Sequence, residues 1–99
     1  MPDNPLSTLQ SLDPDCINHL HAFQEFVYKD GALPKKMKLL IAVAFDASHG
    51  AIGGVKSLAA QALEAGATKE EILEALRVAY LFGGLGSLYI ASQGLKDMI

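Results

Sequence analysis

Ninety-nine residues at 10.5 kDa fill one domain, residues 1–99, and leave no room for a second hydrophobic core. Half the chain is apolar (51%) and 19% is charged, which excludes intrinsic disorder, while a net charge of −3 argues against a nucleic-acid partner, which needs a basic face. One cysteine excludes an internal disulfide, a CxxC redox pair and a thiolate zinc site.

In chain order, Asn4-Pro5 suits the start of a short first turn, because proline fits the first helical position, where no N–H is needed. The opening residues, Met1-Pro2-Asp3-Asn4-Pro5, carry no basic region followed by an apolar stretch, so no signal peptide is read and a cytoplasmic protein is expected. Asp13-Pro14-Asp15 repeats the start signal more strongly, with Asp13 as N-cap, Pro14 at N1 and a second acid at the positive end of the helix dipole. Ile17, Leu20, Phe23 and Val27 follow in steps of three and four and are expected to face the core. Asp30-Gly31 stops this helix, Gly31 offering a left-handed cap.

Leu33-Pro34-Lys35-Lys36 opens the next helix, whose body, Leu39-Leu40-Ile41-Ala42-Val43-Ala44-Phe45, is apolar all round and predicts a buried central helix. His49-Gly50 breaks it, and Gly53-Gly54 delays the following helix, which carries Val55, Leu58, Ala59, Ala62 and Leu63 and ends at Gly66. Thr68-Lys69-Glu70-Glu71 is a capping box. The helix it starts places Ile72, Leu73, Leu76, Ala79 and Tyr80 toward a core and ends at Gly83-Gly84. Ser87 can cap a last helix with Leu88, Ile90, Ala91 and Leu95. Residues 78–95 carry no charge and approach the length of a membrane span, but the glycines at 83, 84 and 86 divide them into two half-length helices, so no membrane crossing is expected. No alternating strand pattern appears. The fold class is all-α, a bundle of about five or six helices, and so apolar a small chain is expected to self-associate.

Taken together, Leu33-Pro34-Lys35-Lys36, the buried helix, Gly66-Ala67-Thr68-Lys69-Glu70-Glu71-Ile72-Leu73-Glu74-Ala75 and Gly83-Gly84 resemble the carboxymuconolactone decarboxylase family, which includes the alkylhydroperoxidase D-like proteins. The resemblance is strongest over residues 17–95. It implies a helical domain that assembles as a homo-oligomer, a trimer or hexamer. In the peroxidase branch it also implies a C-x-x-C-x-x-x-H site, in which two thiols one turn apart at a helix N-terminus form a disulfide and a histidine one turn on moves protons. Those positions fall here on Ala51, Gly54 and Leu58, and an upstream family glutamate on about Lys38. None of these side chains can do that chemistry, so peroxidase (peroxiredoxin) activity is a family label only. The decarboxylase branch lacks the cysteines but usually keeps the histidine.

Near the lost site the polar groups are Asp46, Ser48 and His49, the candidate catalytic residues; as a histidine, His49 is a residue type suited to acid–base work or ligand contact, or simply to ending a helix. Cys16, His19 and His21 invite a metal reading, but His21 points away from the other two and no fourth ligand is in sight. Cys16 is expected to be a small buried residue. Gly83-Gly84-Leu85-Gly86-Ser87 follows a helix and has no lysine after it, so it is read as a turn allowing close helix approach at a subunit contact rather than as a phosphate loop. Neither a metal nor a cofactor is expected. The sequence therefore favours a non-peroxidase oligomeric or small-molecule-binding protein, with a divergent acid–base enzyme using His49 on a small carboxylated or lactone metabolite as the alternative.

Overall fold

A computed structural model describes residues 4–99, so the first three residues of the segment read for a signal peptide lie outside it. The described chain forms six helices: α1 (Ser7–Leu12), α2 (Pro14–Tyr28), α3 (Lys35–Ser48), α4 (Ile52–Glu64), α5 (Lys69–Gly83) and α6 (Leu85–Gly94). No strand occurs among the described residues. The all-α expectation holds, and the uncharged stretch at 78–95 is indeed divided at Gly84. No helix is long and apolar enough to cross a membrane.

The local punctuation follows from cap chemistry. Asp13 accepts a hydrogen bond from the Cys16 N–H at 3.1 Å, with Pro14 at N1. Helix α4 closes with a Schellman turn: Ala67 N–H donates to the Ala62 carbonyl, Gly66 N–H donates to that of Leu63, and Gly66 takes φ +100°. Both halves of the capping box form. The Glu71 N–H donates to Thr68 Oγ1 at 3.0 Å, and the Thr68 N–H donates to the Glu71 carboxylate at 2.9 Å.

That carboxylate carries a pH prediction. The Thr68 backbone hydrogen bond, and then the Lys36 ammonium, hold Glu71 below its ordinary value of 4.5. A carboxylate depressed in the folded state stabilises it above the unfolded value and loses that contribution as pH falls through the folded value. Thermal midpoints followed from pH 6 to pH 3 are therefore expected to fall more steeply for the wild type than for Glu71→Gln. Parallel curves would contradict this role.

Helices α3 to α6 enclose the core. Leu39, Val43, Val55 and Ile72 are its largest fully buried side chains, with Ala47, Ala59, Ala62, Leu76, Ala79 and Ala91 filling the narrower gaps. Small residues let the helices approach. A Cβ on Gly94 would come within 2.8 Å of Val55, so α6 crosses α4 there. A Cβ on Gly83 would collide with Ser87 Oγ and lie 2.8 Å from Ser48 Cβ, which brings the ends of α3 and α5 together. The close approach read from the glycine-rich turn is thus made within the chain, against Ser48.

Several sequence expectations are corrected. Gly53 and Gly54 lie inside the first turn of α4, which starts at Ile52. Ser87 lies inside α6 and is buried with its hydroxyl unpartnered; the cap position belongs to Gly84, whose φ of +83° turns the chain. Gly31 is not left-handed: α2 ends at Tyr28, and the Asp30 carboxylate instead accepts from the Lys35 N–H at 2.7 Å at the start of α3. Leu73 and Tyr80 lie beside the buried stripe Ile72, Leu76 and Ala79 and are exposed. Helix α3 is not buried all round, since Ile41 and Phe45 stand on an open side.

The largest departure concerns α2. Of its expected core face only Ile17 is buried, and Phe23 is 62% exposed. Leu20 and Tyr28 are half-buried and His21 and Gln24 exposed, so α2 touches the rest of the chain through Ile17, Leu20 and Tyr28, and its Phe23 and Phe26 rings face away from the chain's own core. Lys38 fixes this orientation by donating to the carbonyls of Val27 at 2.8 Å and Lys29 at 2.6 Å, where α2 leaves its last carbonyls unpaired. The radius of gyration, 14.0 Å against about 13 Å for a compact chain of this length, fits a helix pair that stands off the core.

Candidate functional site

Helices α3 and α5 run side by side in the same direction. Lys36 near the start of α3 pairs with Glu71 near the start of α5 at 3.1 Å, while Ser48 and Gly83 abut at their far ends. Between them opens a cleft of about 870 Å³. Its walls are apolar: Met37, Leu40, Ile41, Ala44 and Phe45 from α3, and Ala75, Val78, Ala79 and Phe82 from α5. Polar groups stand only at its two ends, Glu71 and Glu74 at one and Ser48 and His49 at the other. Apolar walls with a few polar groups at defined places are the usual make-up of a small-molecule site.

The three candidate residues do not converge. His49 lies at the C-terminal cap of α3, with its ring stacked on Phe45 at a centroid distance of 6.0 Å. Ser48 Oγ donates to the Phe45 carbonyl at 2.8 Å, so its proton goes to the backbone and not to the imidazole. Asp46 lies on another side of α3 and takes no part in the cleft wall. A Cβ on Gly54 would run into the Asp46 carboxylate, which therefore stands at the first turn of α4, where the helix dipole favours an anion. Tyr28 lies close enough to feel that charge: burial first, and then Asp46, push its phenol above the ordinary value. Among the described residues no hydrogen bond joins His49 to Asp46 or Ser48.

The other singled-out positions separate as well. Ala51 is the N-cap residue of α4, Gly54 lies in its first turn, and Leu58 is half-buried one turn further on. Lys38 is the clamp on α2 described above. Cys16 is exposed on the first turn of α2, not buried, because the buried stripe of that helix begins at Ile17. Among the described residues no three His, Cys, Asp or Glu side chains gather closely enough to hold a metal ion.

Sequence reasoning did not single out Gln24, Glu25 and Tyr28, which join His21 in a second, smaller cleft against Leu58 and Gln61 of α4.

The model of the carboxymuconolactone decarboxylase family matches residues 14–93. The chain belongs to this family. A crystal structure of a carboxymuconolactone decarboxylase family protein from Legionella pneumophila, in its apo form, is similar over 92% of this chain and 81% of that one, with 32% identity and a TM-score of 0.83. None of the curated proteins matches the sequence. The family match runs from the first residue of α2 almost to the end of α6, so the outward-turned α2 belongs to the carboxymuconolactone decarboxylase unit and is not an appendage to it.

Proposed function

We propose that this member of the carboxymuconolactone decarboxylase family is a non-peroxidase, homo-oligomeric protein that binds a small molecule in the α3/α5 cleft. One observation carries the reading: Phe23, Phe26 and Val27 of α2 face outward, with the Phe23 and Phe26 rings stacked at 6.2 Å, and Phe82, Leu85 and Tyr89 are exposed around the α5/α6 turn. Apolar patches of this kind on so small a chain are suited to burial against further copies. The absence of ionisable groups at Ala51, Gly54 and Leu58 supports binding and assembly over a two-cysteine redox cycle. Native mass spectrometry at micromolar concentration is expected to show a trimer or hexamer; a monomer would overturn the assembly.

A second reading is favoured by the position of Ser48 and His49 at the cleft's end: an acid–base enzyme acting on a small carboxylated or lactone metabolite, with His49 as the proton-moving group. Its weakness is orientation. A general base needs a partner that fixes its ring, and His49 has a stacking neighbour in Phe45, while Asp46 serves the start of α4.

A further inference from the structure

On the homo-oligomeric reading proposed above, we infer that the α3/α5 cleft is roofed by helix α2 of a second copy of this chain. That helix is seated antiparallel to α3 and α5, with its Phe23 and Phe26 as the wall the cleft lacks.

A small-molecule site buries about 70–90% of its ligand. The cleft cannot do so within one chain: Met37, Ile41, Phe45, Val78 and Phe82 line it, and each is at least 41% exposed. The chain's own α2 does not cover them. Lys38, which is not a cleft residue, holds the end of that helix, and Phe23 and Phe26 face away from the core.

The α2 of another copy fits in length and in area. It has 15 residues, roughly 22 Å, against 14 in α3 and 15 in α5. Ala44, Ala75 and Ala79 leave room between the larger cleft side chains for inserted rings. Phe23, Phe26 and Val27 together with the five exposed cleft residues present roughly 800–1,000 Å² of surface. A stable interface of about 1,600 Å², about 57% of it apolar, needs about 900 Å² of apolar surface. The two patches supply that amount.

Charge sets the direction. Asp15 shares the outward face of α2 with Ala22 and Phe26, in steps of seven and four, and Lys29 follows the helix end. The cleft has Glu71 and Glu74 at one end and His49 at the other. Glu71 is engaged by Lys36, and Glu74 is not. Antiparallel seating brings Lys29 to Glu74 and Asp15 to His49, and opposes the helix dipoles. Parallel seating would bring Asp13 and Asp15 to the two glutamates. Each copy offers one stripe and one cleft, so the contact is heterologous and closes into a ring, as a trimer requires.

The test is disulfide cross-linking of the full chain, with Cys16→Ser in every variant so that the introduced thiols are the only ones. Phe26→Cys/Met37→Cys is expected to give reducible interchain dimers and trimers on mild oxidation. Phe26→Cys/Phe82→Cys is not, because Cα atoms more than about 7 Å apart cannot be bridged. All three positions are exposed, and helical circular dichroism is expected to be retained. Linkage of Phe26→Cys to itself would put α2 against α2 and overturn the seating, and linkage to position 82 but not 37 would overturn the direction. An oligomer in native mass spectrometry without the 26–37 linkage would overturn the seating and leave assembly standing; a monomer would overturn both. Charge reversal reads the same contact with the aromatic rings intact. Glu74→Lys is expected to weaken assembly about threefold or more, and Lys29→Glu added to it to restore assembly. A double variant as weak as Glu74→Lys would overturn the alignment of Lys29 with Glu74.

Discussion

Leu39→Ala is expected to destabilise the chain by about 2–5 kcal/mol, the range for emptying a fully buried leucine position. Leu39 has no exposed surface and belongs to α3, the helix that packs against both α4 and α5. The cavity left behind cannot collapse easily, because the neighbouring contacts are already close: Gly83 abuts Ser48, and Gly94 abuts Val55. Against a total of roughly 5–15 kcal/mol for an ordinary domain, the loss is a large fraction. Chemical denaturation at a fixed protein concentration measures it, and a change below about 1 kcal/mol would show that α3 is not the centre of the core.

A second large effect is expected at α2. Replacing Phe23 and Phe26 together by Asp places two charges on the outward stripe, which lies outside the α3–α6 core. If that stripe is an interface between copies, losing even one aromatic anchor costs about 2 kcal/mol or more, and a buried unpaired charge adds to the penalty. Subunit dissociation is then expected to strengthen by at least about 30-fold, read as a shift toward monomer in native mass spectrometry with helical circular dichroism retained. A variant that keeps the wild-type mass would remove α2 from the assembly surface.

The helix order was legible in the sequence because its signals are local. Asp13-Pro14, the Thr68–Glu71 box and the Gly66 terminator each act within a few residues, and each forms as read. What was not legible is the direction in which α2 faces. Periodicity identifies an apolar stripe but not what covers it, and the inward orientation is set by Lys38 reaching back to Val27 and Lys29, a contact between two helices. Ser87 misled for a related reason. Serine near a glycine turn reads as a cap, yet Gly84 already supplies the positive φ, and the small side chain is needed where the α5/α6 turn meets Ser48.

The candidate site divides in the same way. Asp46, Ser48 and His49 are neighbours in sequence at the end of a helix, but the helical turn sends Asp46 toward α4 and Tyr28 and leaves Ser48 and His49 on the α3/α5 cleft. Sequence proximity alone could not separate them.

The most direct measurement of the central claim, that this family member works by binding and assembly and not by thiol redox chemistry, is dithiol-dependent peroxide reduction by the purified protein beside its Cys16→Ser variant. Cys16 is the one thiol in the chain, lies exposed on α2, and has no second cysteine within the chain with which to form a disulfide. The wild type is expected to show no turnover above that of the variant. Turnover that disappears in Cys16→Ser would reveal a one-cysteine peroxidase and contradict the claim.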